Sequence, residues 1–287
     1  MMAAETPFGV SAKFIKNNQR IKIMLNNQPI GVFDSGVGGL TVLETLVKVL
    51  PNESFYYVAD QGHCPYGPKP LSYVENRVVT IAKHMQAIGC KAIVIACNTA
   101  SLHIKAAQKA VNIPVISVIQ PTAKRALVLT QNKKVLVLAT QATVNSGVYA
   151  NILKEGGATV EQVACGSFVD FAENYDLSDP IGHEIVKERL ETVKDFDCDT
   201  LIHGCTHFSL LEPFIKAYLG DKNFIACGEP TSRALETILS ENNLLCLQKT
   251  PFSGNIDIFT TGDVSKAESA MKWFKVEHNQ VKHIDIE

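Results

Sequence analysis

Two cysteines end similar stretches of this chain. Cys97 follows the apolar run at residues 92–95, and Cys205 closes the stretch at residues 200–204. Each stands seven residues after another cysteine, Cys97 after Cys90 and Cys205 after Cys198. The second pair of cysteines follows the first at a distance of 108 residues. A thiol acts as a base or nucleophile once its surroundings favour the thiolate. The repeat therefore predicts two similar thiol sites that face each other across a cleft.

The elements around Cys97 indicate how it is positioned. Four apolar residues in a row predict a strand buried on both faces, as in a parallel sheet. We expect a helix over residues 102–110 to follow, and free N–H groups at such a helix start point to the ligand edge of the sheet. A second echo, residues 121–127 against 230–235, supports a duplicated half with one thiol each.

A third strand end, after residues 29–33, carries a carboxylate and three glycines. Its sequence DSGVGG, residues 34–39, fits neither the G-x-G-x-x-G fingerprint nor a phosphate loop with its lysine. We interpret it as an anion-receptive turn with Asp34 at the ligand edge. The alternative is that Asp34 only caps the following helix, which we expect to begin near Leu40.

Residues 61–70 predict a rigid loop, because they contain three prolines and two glycines. In this loop, Tyr66 and Gly67 offer a hydroxyl and a backbone N–H to a ligand. His63 beside Cys64 suggests a metal site or a dyad, but no second ligand pair stands at a zinc-like spacing.

Alternating strand and helix patterns predict the α/β class with mostly parallel sheets. We expect two pseudo-symmetric α/β lobes with the active site in the cleft between them. In this prediction, residues 29–120 and 231–287 form the first lobe, and residues 121–230 form the second. Residues 1–28 are an N-terminal extension, which we expect to be helical over residues 11–25.

The predicted strands are 29–33, 54–59, 92–95, 113–119, 134–139, 159–164, 200–207, 223–226 and 256–261. The predicted helices include 71–88, 102–110, 145–155, 168–173, 181–193 and 266–275, the last packing Trp273 and Phe274.

Composition argues against a nucleic-acid-binding protein and against a membrane-spanning protein. The chain has 287 residues and a net charge of −2, which gives nucleic acid no basic patch to bind. No apolar run approaches the ~18 residues of a membrane span. The eight cysteines form no C-x-x-C pair and no export signal is seen, so we expect free thiols and a cytoplasmic location.

Four motifs, taken together and in order, resemble the signature motifs of the bacterial glutamate racemases. They are DSGVGGLTV at residues 34–42, PYG at 65–67, ACNTAS at 96–101 and GCTH at 204–207. The resemblance runs from residue 29 to the C-terminus. It implies interconversion of L- and D-glutamate without cofactor or metal, which supplies D-glutamate for peptidoglycan.

The resemblance also implies roles for individual residues. Cys97 and Cys205 match the two catalytic cysteines of the family, each the base for one enantiomer and the acid for the other. Asp34, His207 and Glu173 match residues that assist the thiols. The implied substrate-binding residues are Asp34, Ser35, Tyr66, Gly67, Asn98, Thr99, Thr143, Thr206 and His207.

The chemistry explains why two thiols are needed. A single base tends to return the α-proton to the face that it left, whereas two opposed thiols invert the carbon. A free cysteine is only about 3% thiolate at pH 7, so we expect the site to lower the pKa of both thiols. Helix N-termini after each cysteine, and His207 beside Cys205, are the groups that would do so.

Three alternatives stay open at this point. One is a relative in the same superfamily that acts on aspartate or a hydantoin. Another is a metal site made of Cys97, Cys205 and His207. The third is an amino-acid sensor, which has no use for two opposed thiols. Glutamate is the expected small-molecule partner, and a homodimer and an activator from among the peptidoglycan precursors are left open.

Overall fold

The computed structural model describes residues 26–246, 254–271, 274–275 and 277–287. The helix expected over residues 11–25 and the packing of Trp273 lie outside these ranges. Phe274 is buried, as expected.

Ten strands form two sheets in the described ranges, and every strand pair in them is parallel. The first sheet has the order β10-β9-β2-β1-β3-β4, and the second has the order β6-β5-β7-β8. The strands are β1 Ile30–Asp34, β2 Phe55–Ala59, β3 Ala92–Ile95, β4 Val115–Ser117, β5 Lys134–Ala139, β6 Thr159–Ala164, β7 Thr200–Gly204, β8 Asn223–Ile225, β9 Ile256–Thr260 and β10 Lys282–His283.

Helices follow most of the strands, which confirms the α/β prediction. They are α1 Leu40–Val49, α2 Leu71–Ala87, α3 Asn98–Ser101, α4 Ile104–Ala110, α5 Ile119–Leu129, α6 Gln141–Ser146, α7 Val148–Glu155, α8 Gly166–Asn174, α9 Ile181–Leu190, α10 Glu212–Leu219, α11 Gly228–Glu241 and α12 Val264–Met271. Among the described helices, none is long and apolar enough to cross a membrane.

Three apolar clusters hold the sheets. The largest joins both sheets and includes Val94 of β3 and Val137 of β5. Ile93 and Ile95 of β3 face a second cluster, together with Val78 of α2. Alternate residues of β3 therefore enter different cores, which is why this strand is apolar throughout. A third cluster covers the other face of the second sheet.

Two helices differ from the prediction. The helix expected over residues 102–110 is preceded by a further turn, α3, so helical structure begins directly after Cys97. The helix expected over residues 145–155 is two helices, α6 and α7. They are separated by Gly147, whose φ of 67° lies in the left-handed region that ends helices.

Strand ends also differ from the prediction. The strand expected over residues 113–119 is only Val115–Ser117, because Ile119 already opens α5. β10 was not anticipated, since its two residues are exposed and carry no apolar pattern. Both predicted lobe boundaries fall within helices, one in α5 and one in α11, and these two helices connect the sheets.

Candidate active site

A cavity of about 430 Å³ lies where the carboxyl ends of strands from both sheets meet. Ser35 follows β1, Cys97 follows β3, Thr140 follows β5 and Cys205 follows β7. The two thiols, one from each sheet, thus share one cavity, as the repeat predicted. The residues that line it are Ser35, Cys64, Pro65, Tyr66, Gly67, Pro68, Cys97, Asn98, Thr99, Thr140, Gln141, Gly166, Val169, Asp170, Cys205, Thr206 and His207.

Cys97 is the N-cap of α3. Its Sγ accepts from the Ala100 N–H at 3.4 Å and donates to Ser35 Oγ at 3.5 Å. Burial, followed by the nearby Asp34 carboxylate, nevertheless raises the pKa of Cys97 to about 12. The expectation of a lowered thiol pKa is therefore wrong for Cys97, because loss of hydration outweighs the N–H and hydroxyl contacts.

Asp34 lies behind the cavity wall and is fully buried. Its Oδ2 accepts from the N–H groups of Gly36 at 3.2 Å and Gly39 at 3.1 Å, while Oδ1 has no partner within the described chain. Burial raises the pKa of Asp34 to about 6, although the nearby His207 opposes this shift. Asp34 thus does fix the turn before α1, and it also places a titratable charge near Cys97.

Cys205 has a different neighbour. Its Sγ lies 3.9 Å from Nδ1 of His207, and a 3-10 turn, Phe208–Leu211, precedes α10. Burial raises the pKa of Cys205 well above its ordinary value, and the backbone N–H of His207 opposes that shift. Here too the expected lowering of the thiol pKa is not observed.

Glu173 completes this side of the site. Its Oε1 lies 3.3 Å from His207 Nε2, which is ion-pair distance. Nε2 makes no other polar contact in the described part of the protein, so Glu173 is its nearest partner. Burial disfavours the charged carboxylate, but the adjacent His207 outweighs it and holds the pKa of Glu173 below its usual value. Glu173 itself is absent from the cavity wall, but it contacts two residues that line the wall, His207 and Cys64, whose Sγ lies 3.7 Å from Glu173 Oε1.

Two adjacent glycines allow these neighbours to approach. A Cβ on Gly38 would lie 2.6 Å from His207 Cε1 and 2.7 Å from Thr206 Oγ1. A Cβ on Gly39 would lie 2.5 Å from the Cβ of Asp34. Both distances are shorter than packed side chains permit. The missing side chain of Gly38 thus leaves room for His207 and Thr206 next to Cys205. The missing side chain of Gly39 leaves room for Asp34 near Cys97.

The side chain of Asn98 is held from behind the cavity. Its Oδ1 accepts from the Tyr149 hydroxyl at 2.7 Å, and its Nδ2 donates to Cys227 Sγ at 3.6 Å. Sequence reasoning missed both partners. An isolated tyrosine and a buried cysteine, which are common core residues, gave no signal.

Threonines from both sheets meet on another wall. Thr99 Oγ1 and Thr140 Oγ1 are 3.0 Å apart, and Thr143 Oγ1 is 3.0 Å from Thr140 Oγ1. Thr143 is fully buried and reaches the cavity only through Thr140. Thr140 was not singled out, although its polar place at the end of an apolar strand was the signal that could have found it.

The loop at residues 61–70 forms a further wall. Tyr66 lines the cavity, and its hydroxyl donates its proton to Asp60, which leaves the hydroxyl oxygen as an acceptor for a ligand. The space around Gly67 is open, since an added Cβ would first meet Thr140 at 3.8 Å.

His63 contacts Tyr73 at 2.5 Å, which does not support a His63–Cys64 dyad. No group of three metal-ligating side chains occurs among the residues described.

Comparisons with known proteins match this architecture. The family model for Asp/Glu/hydantoin racemase matches residues 38–227. A glutamate racemase of Bacillus cereus is 39% identical over 266 residues, which cover 91% of this chain and 98% of the relative.

Solved structures agree with that result. A glutamate racemase isoform of Bacillus anthracis has a TM-score of 0.85 at 37% identity and covers 91% of this chain and 98% of its own. The Francisella tularensis glutamate racemase in complex with D-glutamate has a TM-score of 0.83 at 33% identity, with coverages of 91% and 99%. The Escherichia coli glutamate racemase, in complex with L-glutamate and the activator UDP-MurNAc-ala, has a TM-score of 0.74 at 25% identity, with coverages of 91% and 99%. The chain therefore belongs to the Asp/Glu/hydantoin racemase family, where its relatives are glutamate racemases, and it is an amino-acid racemase.

Proposed function

We propose that this protein interconverts L- and D-glutamate, with Cys97 and Cys205 as the paired acid and base. The observation that carries the proposal is the meeting of two thiols, one from each sheet, on the wall of a single cavity of about 430 Å³. The similar enzymes of F. tularensis and E. coli bind D-glutamate and L-glutamate, which favours glutamate as substrate.

In the proposed reaction, the Cys205 thiolate removes the α-proton of L-glutamate, and the Cys97 thiol delivers a proton to the opposite face. D-glutamate reacts in reverse, with Cys97 as the base. Burial raises the pKa of both thiols and so favours their protonated forms. The substrate ammonium group supplies positive charge that favours a thiolate, and His207 supplies more beside Cys205.

Neutral donors then hold the substrate carboxylates. Among the described residues that line the cavity, none is a lysine or arginine. Hydroxyl, amide and N–H groups at Ser35, Asn98, Thr99 and Thr206 are therefore the candidates to bind carboxylate oxygens. Fixed donors of this kind stabilise negative charge that develops in the transition state, and each is worth about 3–4 kcal/mol.

The same proposal covers the setting of the enzyme. The first lobe consists of residues 29–120 and 231–287, and the second consists of residues 121–230. The enzyme acts in the cytoplasm, and its product, D-glutamate, is used for peptidoglycan. A peptidoglycan precursor is a candidate activator, as the E. coli relative was solved with UDP-MurNAc-ala. Whether the protein forms a homodimer stays open.

Circular dichroism of L-glutamate with the purified protein tests the proposal. We expect the signal to decay to zero, with full activity after exhaustive dialysis against EDTA and no added cofactor. Faster decay with L-aspartate would contradict the assigned substrate. Activity lost to EDTA and restored by a divalent metal would contradict the metal-free mechanism.

A further inference from the structure

A buried charged cluster stands behind the Tyr66 wall of the cavity, and the proposed reaction does not use it. Asp60 is fully buried at its centre. Arg77 donates to both oxygens of Asp60, from Nη2 to Oδ1 at 2.8 Å and from Nε to Oδ2 at 3.0 Å. Tyr66 donates its hydroxyl to Oδ2, and Thr261 donates its hydroxyl to Oδ1 at 2.9 Å. One carboxylate thus accepts four hydrogen bonds.

The cluster joins every element that bounds the loop at residues 61–70. Asp60 follows β2, and its N–H donates to the Asp34 carbonyl at 2.9 Å. Arg77 belongs to α2, the helix after the loop, and Thr261 follows β9. Arg77 also donates from Nη1 to the Ile286 carbonyl at 2.7 Å, which brings the last residues of the chain into the network.

The loop needs such support because, apart from the short 3-10 helix Gln61–His63, its residues form no helix or strand. Gly62 donates its N–H to Thr261 Oγ1 at 3.1 Å, and a Cβ on Gly62 would lie only 2.6 Å from the Thr261 carbonyl oxygen. One end of the loop is therefore fixed by Thr261. The segment at residues 64–68, which lines the cavity, is tied to the same cluster through Tyr66.

We infer that Asp60 is a positioning residue that fixes the Tyr66–Gly67 wall against the substrate, an inference that rests on the proposed function. A bidentate guanidinium and a phenol on one dry carboxylate fix its geometry. Displacement of a substrate contact by about 1 Å costs up to about 10²-fold in rate. Asp60 touches no reacting atom and acts through Tyr66.

A buried ion pair by itself does not indicate function. The chain offers a matched control, since Lys91 and Glu53 form a second buried ion pair at the opposite ends of β3 and β2. Lys91 also donates to the carbonyls of Asn26 and Leu244, so this pair too is part of a network. It lies away from the cavity walls.

The experiment compares Asp60→Asn, Tyr66→Phe and Glu53→Gln for kcat, KM and thermal unfolding on both glutamate enantiomers. We expect Asp60→Asn to lower kcat/KM by about 10- to 100-fold, mainly through KM. Tyr66→Phe keeps the ring and the fold, and we expect a loss of about 3- to 10-fold. Glu53→Gln should change kcat/KM by less than about twofold while it lowers the unfolding temperature as much as Asp60→Asn.

The double variant Asp60→Asn with Tyr66→Phe distinguishes a positioning role of Asp60 from a simple loss of stability. Because Asp60 acts through Tyr66, the double variant should lose no more kcat/KM than Asp60→Asn alone. Additive losses, a wild-type KM in Tyr66→Phe, or equal losses in Asp60→Asn and Glu53→Gln would overturn the inference. If the wild-type enzyme racemises a different amino acid, the proposed substrate is wrong, and the same comparison on that amino acid decides the role of Asp60.

Discussion

Cys97 and Cys205 end equivalent strands of two sheets, yet their surroundings differ in charge. Cys97 lies against the Ser35 hydroxyl, with the buried Asp34 carboxylate close by. Cys205 lies against the imidazole of His207, which pairs with Glu173. Equivalent strand ends place the two thiols alike, while β1 brings Asp34 close to Cys97 and the residues after Cys205 bring His207 beside it.

The difference fits a reaction in which the two thiols never do the same thing at once. In each turnover of the proposed reaction one cysteine, as the thiolate, takes the α-proton while the other, as the thiol, delivers a proton to the opposite face, so the pair needs two distinct environments. The buried Asp34 carboxylate disfavours a thiolate at both cysteines, and it is the largest cause after burial at Cys97. A protonated imidazole beside Cys205 would favour a thiolate there. The central claim is therefore that each thiol serves one face of the substrate.

The largest expected effect comes from removing either thiol. We expect Cys97→Ser and Cys205→Ser to lower racemisation by about 10³-fold or more, because every turnover uses both. Cys90→Ser and Cys198→Ser are the matched controls, since these buried cysteines precede the same two strands. The controls should keep nearly full activity by circular dichroism. Near wild-type racemisation in either active-site variant would exclude the two-base mechanism.

The adjacent glycines offer a way to disturb one thiol at a time. Gly38→Ala should displace His207 and Thr206, and Gly39→Ala should displace Asp34. With a glutamate analogue that carries a β leaving group, we expect Gly38→Ala to slow elimination from the L form by about 10-fold or more. Gly39→Ala should slow elimination from the D form instead. Equal losses on both enantiomers in both variants would show that the two sides are not independent.

A smaller effect concerns stability near Cys97. Burial raises the pKa of Asp34 from 3.8 to about 6, so folding favours its protonated form. That stabilising contribution is complete below pH 3.8 and is lost as the pH rises through 6. Asp34→Asn should therefore gain about 1.4 kcal/mol in unfolding free energy, relative to wild type, between pH 5 and pH 8. Urea denaturation at both pH values measures this, and a constant difference would contradict a raised pKa.

The sequence predicted the fold well wherever apolar runs were unbroken. The strands over residues 92–95 and 134–139 were predicted with the bounds that the structure has. The errors came where local signals are weak. Gly147 divides a helix that the apolar pattern made continuous, and β10 pairs with β9 through backbone groups that no side-chain pattern reveals.

The site residues at the strand ends were predictable from the sequence. The buried residues behind the cavity wall were less so. Motif spacing brought Cys97, Cys205 and His207 to one cavity, since parallel strands end at a common edge. The thiol pKa values were predicted in the wrong direction, because sequence shows the neighbouring donors but not the loss of water. Asp60 and Arg77, 17 residues apart, were missed because their pairing depends on how α2 packs on the sheet.

Elimination from the β-substituted glutamate analogue by the two thiol variants tests the central claim most directly. The thiolate takes the α-proton, the electron pair forms the Cα–Cβ double bond as the leaving group departs, and no second proton transfer is needed. Cys97→Ser, which keeps Cys205, should eliminate from the L analogue faster than from the D analogue, and Cys205→Ser should show the reverse. Equal elimination from both enantiomers in both variants would contradict the claim that each thiol serves one face.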